Sequence, residues 1–192
     1  MDQTKSSKYE IRGMNHLALH SSDMHRTVRF YEDVLGMPLV KTLTSPNGGQ
    51  HFFIDISEGN GIAFFWDPER PAAMPGVANG GWDPKHGSAS PVSCVGSMHH
   101  LAFDVPLEKL DEYRERLVEA GIEVTEATGN VVNADGDDDG VLRSIYFPDP
   151  DGFILGFSAW TRPLTPEDVR HEPATAVRAT ATTREKAAAG SV

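Results

Sequence analysis

The sequence is poor in cysteine, in basic side chains and in long apolar runs. A single cysteine, Cys94, excludes an intramolecular disulfide framework, and no apolar run approaches the ~20 residues that a membrane span needs. The 28 acidic residues outnumber the 17 lysines and arginines, and the net charge of −11 argues against non-specific binding to nucleic acid or to an anionic membrane. The first ten residues contain no apolar segment of the kind that a secretory signal requires. We therefore expect a cytoplasmic enzyme or binding protein.

What the sequence does contain is a repeated stretch that carries histidine. Residues 14–19 read MNHLAL and residues 98–105 read MHHLAFDV. Both stretches are predicted to be strands, and side chains on a strand alternate between its two faces. His16 and His100 then lie opposite the apolar side chains of their strands, which are expected to face a packed layer. We predict that the two histidines face the space that the two copies enclose.

The repeat extends to a complete β-α-β-β-β module in residues 11–66. Residues 11–19 are predicted as the first strand. Apolar residues from Met24 to Leu35 recur at spacings of four, three and four, which predicts a helix that ends at Gly36. Three more strands, separated by turn-forming residues, are predicted at residues 38–43, 50–56 and 61–66.

A second β-α-β-β-β module is predicted in residues 98–160. Its first strand spans residues 99–105, and its helix begins near Pro106 and ends at Gly121. Histidine, helix and glycine are separated by nearly the same distances in both halves, which indicates an internal duplication. The remaining strands are predicted at residues 122–127, 141–147 and 153–160.

Three regions outside the modules are expected to have little regular structure. Residues 1–10 are predicted as a polar lead-in, and residues 67–97 as a Pro- and Gly-rich linker in which Trp82 either anchors the linker or contacts substrate. The tail, residues 161–192, is predicted to be disordered or to contact a partner subunit. Residues 135–140 begin like a calcium loop but lack the glutamate needed at its twelfth position, so we predict a solvated acidic turn.

Four segments occur in the order of the motifs of a known family. They are NHLAL (15–19), FYEDVLGM (30–37), HHLAFDV (99–105) and SIYFPDPDG (144–152). On these segments the chain resembles the vicinal oxygen chelate superfamily, which includes glyoxalase I, bleomycin and fosfomycin resistance proteins and extradiol dioxygenases. The resemblance implies an α+β fold in which two tandem β-α-β-β-β modules form a cup-shaped open barrel around a divalent metal. It also implies a homodimer.

The same resemblance implies metal ligands on the first and last strands of each module. The first-strand positions are His16 and His100, and the last-strand positions are taken to be Phe64 and Gly156, neither of which can bind a metal. In the dioxygenase-like branch a glutamate is expected where Gly156 stands. Three interpretations stay open: a weakened or lost metal site, a two-histidine site completed by water or an anion, and another protein ligand. We predict that His16 and His100 bind Fe(II), with Mn, Zn or Ni as other possibilities; the alternative is a pair of core histidines.

Other side chains are candidates for the same site. Further ligands could come from His51, Asp55, Asp104 or Tyr146. The alternation of residues 51–56 places His51 on a polar strand face, and we predict catalytic roles for His51 and Tyr146; the alternatives are a solvated histidine and a packed tyrosine. His99 is expected to pack beneath the helix. The predicted substrate-binding residues are Phe53, Phe64, Trp66 and Ser144.

These predictions favour a metal-dependent oxidoreductase of the extradiol-dioxygenase-like branch. We expect it to act on a small, oxygen-bearing, aromatic substrate at the His16 and His100 metal. Two alternatives come from other classes. One is a metal-free small-molecule binding or resistance protein, and the other is a glyoxalase-like isomerase or lyase.

Overall fold

The computed structural model describes three parts of the chain: residues 13–69 apart from 45, 47 and 58, residues 98–129, and residues 140–165. The predictions for residues 1–10, for Trp82 and most of the linker, for the acidic turn up to residue 139 and for most of the tail lie outside these residues. The chain divides into two compact units, Met1–Arg162, which contains both modules, and Pro163–Val192. No described helix is long and apolar enough to cross a membrane.

The described residues form two four-stranded sheets with the same topology. The elements are β1 (His16–His20), α1 (Met24–Arg29), β2 (Leu39–Thr44), β3 (Gln50–Ser57), β4 (Asn60–Trp66), β5 (Leu101–Asp104), α2 (Leu110–Glu119), β6 (Thr128–Gly129), β7 (Leu142–Pro148) and β8 (Ile154–Trp160). The strand orders are β1-β4-β3-β2 and β5-β8-β7-β6, and in each sheet the first strand runs parallel to the last. The α+β class and the duplicated module are thus confirmed.

The helix of the first module changes its winding halfway along. The side chain of Asp23 caps α1 by accepting a hydrogen bond from the backbone N–H of Arg26 at 3.0 Å. A π-helical turn, Phe30–Val34, follows directly and was not predicted from the sequence. The helix then ends at Gly36, whose φ of +70° favours glycine, as the sequence predicted.

Each sheet packs one face against its helix and turns the other away. On the helix side the buried strand residues are Leu19, Ile54, Ile62 and Phe64 in the first sheet and Phe103, Ile145, Phe147 and Leu155 in the second. On the opposite side of β1 the side chains of His16, Ala18 and His20 are exposed. We call this second side the open face of each sheet. The alternation predicted for the histidine stretch of the first module is therefore confirmed in β1.

The two modules are joined by the turn between β7 and β8. Asp151 accepts hydrogen bonds from the backbone N–H of Ser22 at 3.0 Å, from the Ser22 hydroxyl, and from Arg26 at 2.7 Å. Next to it, buried Asp149 accepts hydrogen bonds from the backbone N–H groups of Asp151 and Phe153, at 2.9 and 2.8 Å. The hydroxyl of Tyr31, from the first module, donates to Asp149 at 3.4 Å. The turn thus ties the second module to the helix of the first.

The strand predicted at residues 122–127 is wrong. These residues form no strand, and the short strand β6 follows them. Thr125 explains the difference, because it pairs with β7 partly through its side chain. Its N–H donates to the Tyr146 carbonyl at 3.0 Å, while its hydroxyl oxygen, in place of its carbonyl, accepts from the Tyr146 N–H at 3.0 Å. A side chain thereby takes the role of a backbone group in the ladder.

Candidate binding site on the open sheet faces

The strand registers show which positions of the two modules are equivalent. In the first sheet Ala63 lies between Ala18 and Phe53. In the second sheet Gly156 lies in the same way between Ala102 and Tyr146. The counterpart of Gly156 is therefore Ala63. Neither last strand offers a ligand at this position.

Phe64 and Trp66, which were predicted to bind substrate, lie on the helix side of β4, away from the face that carries His16. Phe64 is 1% exposed, and its ring centroid lies 5.0 Å from that of Tyr31 on the helix. Trp66 is packed against the same core. The open face of β4 carries Ala63 and Phe65, the residues that pair with β1 on either side of Phe64.

Five rings form a continuous cluster on the open face of the first sheet. The rings of His51 and Phe65 are stacked with centroids 3.7 Å apart, and Phe53 lies 4.4 Å from His51. His16 meets Phe53 edge-on at 5.9 Å, and His20 lies 6.0 Å from Phe65. We call these five residues the ring cluster. It brings together three residues predicted for the site, His16, His51 and Phe53. Sequence reasoning missed Phe65 and His20.

The surroundings of His51 in the ring cluster favour its neutral form. Burial lowers the pKa of His51, and the nearby His16 lowers it further. Within the described residues, Nε2 of His51 is buried without a hydrogen-bond partner. Nδ1 of His16 lies 2.7 Å from Oδ1 of Asn15. Because an amide oxygen only accepts, the neutral His16 ring carries its proton on Nδ1 and keeps a lone pair on Nε2.

The second sheet presents an imidazole beside a phenol. The rings of His100 and Tyr146 meet edge-on with centroids 5.1 Å apart. Nδ1 of His99 lies 2.7 Å from Nδ1 of His100, so one of these nitrogens donates and the other accepts. Burial lowers the pKa of His100, and His99 adds to that effect. His99 was predicted to pack beneath the helix but is exposed; β5 begins only at Leu101, so strand alternation does not extend to His99.

Gly156 leaves room for the Tyr146 ring. A Cβ at position 156 would lie 3.0 and 3.1 Å from Cδ1 and Cε1 of Tyr146, and 3.2 Å from the carbonyl oxygen of Ile145. The two distances to the Tyr146 ring are shorter than ordinary van der Waals contacts between carbon atoms. The phenol ring therefore lies where a side chain at position 156 would begin.

Three of the predicted site residues remain to be located: Ser144, Asp55 and Asp104. Ser144 was predicted to contact substrate, but it is fully buried and its hydroxyl is paired with that of Ser158 at 2.8 Å. Asp55 lies on the same face as His16, two strands away, with Gly61 between them. Asp104 ends β5 and lines a cavity of about 360 Å³ between the modules. None of the residues of the ring cluster lines that cavity.

The described residues do not complete a three-ligand metal centre. Within them, no group of three or more His, Cys, Asp or Glu side chains is arranged to hold a metal ion. The ring contacts of His16 and of His100 are each made to residues of the same module. Two imidazoles without a carboxylate differ from the two-histidine, one-carboxylate set that non-haem Fe(II) oxygenases use.

Comparison with known proteins establishes the family. A model of the Glyoxalase/Bleomycin resistance protein/Dioxygenase superfamily matches residues 13–157, which is most of the chain. The chain therefore belongs to this superfamily, and the resemblance drawn from its motifs is confirmed.

Relatives within the superfamily are similar over most of their length. A protein named metallothiol transferase FosB from Shouchella clausii (strain KSM-K16) is 27% identical over 149 residues, covering 76% of this chain and 78% of that protein. A glyoxalase family protein from Enterococcus faecalis has a TM-score of 0.55 and 22% identity over 77% of this chain and 97% of its own. The fosfomycin resistance protein FosX from Listeria monocytogenes, in its monoclinic form, has a TM-score of 0.53 and 22% identity over 79% of this chain and 95% of its own. The two structural likenesses support the predicted cup-shaped arrangement of sheets.

The predicted dioxygenase-like function is wrong. The relatives are named as a thiol transferase and a fosfomycin resistance protein, and neither name describes a dioxygenase. Gly156, which stands where the dioxygenase-like branch is expected to carry a glutamate, gives a physical reason why this chain is not a dioxygenase of that kind. The names support the expectation of an enzyme and of a small-molecule substrate, but not of an oxidoreductase or of iron. The alternative, a resistance protein, agrees better with them.

Proposed function

We propose that this chain is an enzyme of the resistance type that transfers a low-molecular-weight thiol to a small electrophilic molecule. The proposal is supported by the name of its curated relative, metallothiol transferase. The observation that carries it is the ring cluster, which places three imidazoles and two phenyl rings on an open sheet face of a chain with a net charge of −11. Such a face offers proton acceptors together with an apolar surface for a small substrate.

His51 is the base in this proposal. Its lowered pKa favours the neutral ring, and within the described residues its buried Nε2 has no hydrogen-bond partner. The neutral imidazole takes the proton of the thiol, and the thiolate sulfur forms a bond to an electrophilic carbon of the substrate. The bond from that carbon to oxygen breaks, and the oxygen takes the proton back from the imidazolium. The substrate is therefore a strained cyclic ether such as an epoxide, in which the oxygen stays attached through the second ring carbon. Thiol and substrate then combine into one product without oxidation or reduction.

Phe53 and Phe65 are the proposed walls for the apolar part of the substrate. Both rings contact His51, so a molecule resting on them lies next to the base. Phe65 is 37% exposed and is accessible to such a molecule. Tyr146 is proposed to bind an oxygen of the ligand through its hydroxyl.

Metal binding by His16 and His100 is a separate part of the proposal. A divalent ion held by two imidazoles would need its remaining ligands from water or substrate, so we expect weak binding. Imidazole donors suit Fe(II), Zn and Ni, whereas Mn favours oxygen donors. Calorimetric titration with each ion tests this assignment. If a His16→Ala, His100→Ala double variant binds an ion as tightly as the unmodified protein, the assignment is wrong.

Thiol transfer is tested with fosfomycin and L-cysteine as probes. The protein is incubated with both, once with added Mn(II) and once with a chelator, and the adduct is measured by mass spectrometry. We expect adduct formation by the unmodified protein and a loss of at least about a hundredfold in His51→Gln, typical of removing a general base. His25→Ala, which removes an exposed histidine of α1 outside the ring cluster, should keep full activity. No adduct with the unmodified protein under either condition would refute the proposal.

A second candidate is a metal-free binding protein, favoured by Ala63 and Gly156, which leave the equivalent last-strand positions of the two described sheets without a carboxylate. In that case fosfomycin binds with the same affinity in the presence of chelator, and no adduct forms. The adduct assay therefore separates the two candidates.

A further inference from the structure

The duplication gives the chain two equivalent junctions between its modules. At the first, which we call the closed junction, Tyr31 of the first helix and Ser22, which follows β1, contact the turn that follows β7. The counterparts of these three elements are α2, the end of β5 and the end of β3, and they bound the cavity of about 360 Å³ between the modules. We call this second place the open junction. It contains a space where the closed junction contains hydrogen bonds.

A hydrogen-bond donor from the helix is present at both junctions. Tyr31 lies five residues before Gly36, the glycine that ends the first helix, and Arg116 lies five residues before Gly121. In the closed junction Tyr31 donates to buried Asp149. In the open junction Arg116 lines the cavity. The guanidinium of Arg116 therefore takes the position of the phenol in the other module.

The acceptor of the closed junction is replaced by an apolar residue in the open one. Asp149 follows Tyr146 by three residues, and Ile56 follows Phe53, the equivalent of Tyr146, by the same number. Ile56 lines the cavity. Among the described residues, the first module contributes only uncharged side chains to the cavity wall. The open junction thus keeps a cationic donor on α2 but has lost the carboxyl that would face it from the other module.

The surroundings of Arg116 favour an anionic group beside it. Its guanidinium forms an ion pair with Glu112 and lies 5.7 Å from the ring centroid of Tyr113. Lys109 pairs with the same Glu112 at 2.7 Å, so the three charged side chains carry one net positive charge. A guanidinium has five N–H donors and binds a carboxylate through two of them. Arg116 can therefore bind a second carboxylate while it keeps Glu112.

We propose that the open junction binds a small molecule that consists of one carboxylate and an apolar body. The Arg116 guanidinium binds the carboxylate. The apolar body packs against side chains from both modules, among them Met37, Ile56, Phe103 and Leu117. A volume of about 360 Å³ lies at the lower end of the range of ligand pockets, which suits a small ligand. This site is separate from the proposed thiol transfer, since none of the residues of the ring cluster lines the cavity.

Three probes with the same apolar chain and different head groups test the class of ligand: octanoate, octylamine and 1-octanol. Each is titrated into the full chain, with affinity measured by calorimetry and the site located by the NMR signals of the methyl groups of Met37 and Leu117. We expect octanoate to bind most tightly, although the net charge of −11 attracts cations in general, and to shift both methyl signals. Hexanoate, which is shorter by two methylene groups, should bind about tenfold more weakly.

Substitutions in the cavity wall test the role of each charge. Arg116→Gln should weaken octanoate binding by about two- to fivefold, the range for an ion pair of an exposed side chain, and should leave 1-octanol binding unchanged. Asp104→Asn removes a negative charge from the cavity wall and should tighten octanoate binding. Arg29→Gln is the matched control, because it removes the same charge from an exposed position of α1 outside the cavity. It should leave octanoate binding unchanged.

Three results would overturn the inference. One is the absence of any octanoate-dependent shift at Met37 and Leu117. Another is binding of octylamine or 1-octanol as tight as that of octanoate, which would show that the cavity does not select a carboxylate. The third is equal affinity of the unmodified protein and Arg116→Gln for octanoate. These measurements contain neither thiol nor fosfomycin, so their outcome is independent of whether the proposed transfer occurs.

Discussion

The buried Asp149 should make the protein less stable as pH rises. Burial raises the pKa of its carboxyl to about 7, and the negative charge of Asp151 adds to this effect, whereas hydrogen bonds from the backbone N–H groups of Phe153 and Asp151 and from Tyr31 oppose it. In the unfolded chain the pKa returns to 3.8. Between these two values the folded protein holds a proton that the unfolded chain has lost. The contribution to stability is therefore fully present below about pH 4 and falls as pH rises towards 7.

The size of the effect follows from the same two pKa values. Each pH unit within this window changes the free energy of unfolding by up to 1.36 kcal/mol. Between pH 5 and pH 8 the free energy of unfolding changes only up to about pH 7, where Asp149 of the folded protein also loses its proton. The total decrease is therefore about 3 kcal/mol at most. Above about pH 7 the contribution of Asp149 becomes constant.

The measurement compares the unmodified protein with Asp149→Asn by urea unfolding at pH 5 and pH 8. Asparagine keeps an oxygen that can accept from the backbone N–H groups of Asp151 and Phe153, but it does not titrate. The stability difference between the two proteins should shift by about 3 kcal/mol in favour of Asp149→Asn at the higher pH. Because the two proteins share all other titratable groups, the difference between their free energies of unfolding reports the titration of Asp149 alone. A difference that stays constant from pH 5 to pH 8 would show that Asp149 is ionised in the fold.

Two further predictions concern packing and the join between the modules. Phe64→Ala should lower the free energy of unfolding by about 3–5 kcal/mol because the ring is buried against Tyr31. Phe65→Ala should lower it far less, because Phe65 lies on the open face. Equal losses in the two variants would contradict the assignment of faces. Asp151→Ala should cost about 1–3 kcal/mol, since it removes the acceptor for Ser22 and Arg26, and Arg26→Ala should cost less because Arg26 is 46% exposed. Thermal unfolding followed by circular dichroism measures both, and an Arg26→Ala loss as large as that of Asp151→Ala would show that the ion pair dominates.

The duplicated fold could be predicted because its signals are local. The glycines that end the two helices, at 36 and 121, both have positive φ, and the histidine of the first module alternates as a strand residue should. These features depend on the residues themselves and on their nearest neighbours. The topology of the two sheets then followed from the family that the motifs indicated.

The assignment of faces failed where the sequence lacks alternation. Residues 62–66 read IAFFW, and an apolar run carries no information about which side chain faces the core. Phe64 was therefore taken as the last-strand ligand position and as a substrate-binding residue, although Ala63 and Phe65 are the residues on the open face. The contact between Tyr146 and Gly156 could not be predicted either, because it depends on the pairing of two strands.

The hydrogen bond between Tyr31 and Asp149 limits how far the two modules can vary in sequence independently of each other. A phenol from one half and a carboxyl from the other share one buried hydrogen bond, so each half supplies what the other would lack alone. Either module expressed by itself would expose a polar group whose hydrogen-bond partner belongs to the other module. The duplicated halves have thus become mutually dependent, and substitutions near this link in one of them are constrained by the chemistry of the other.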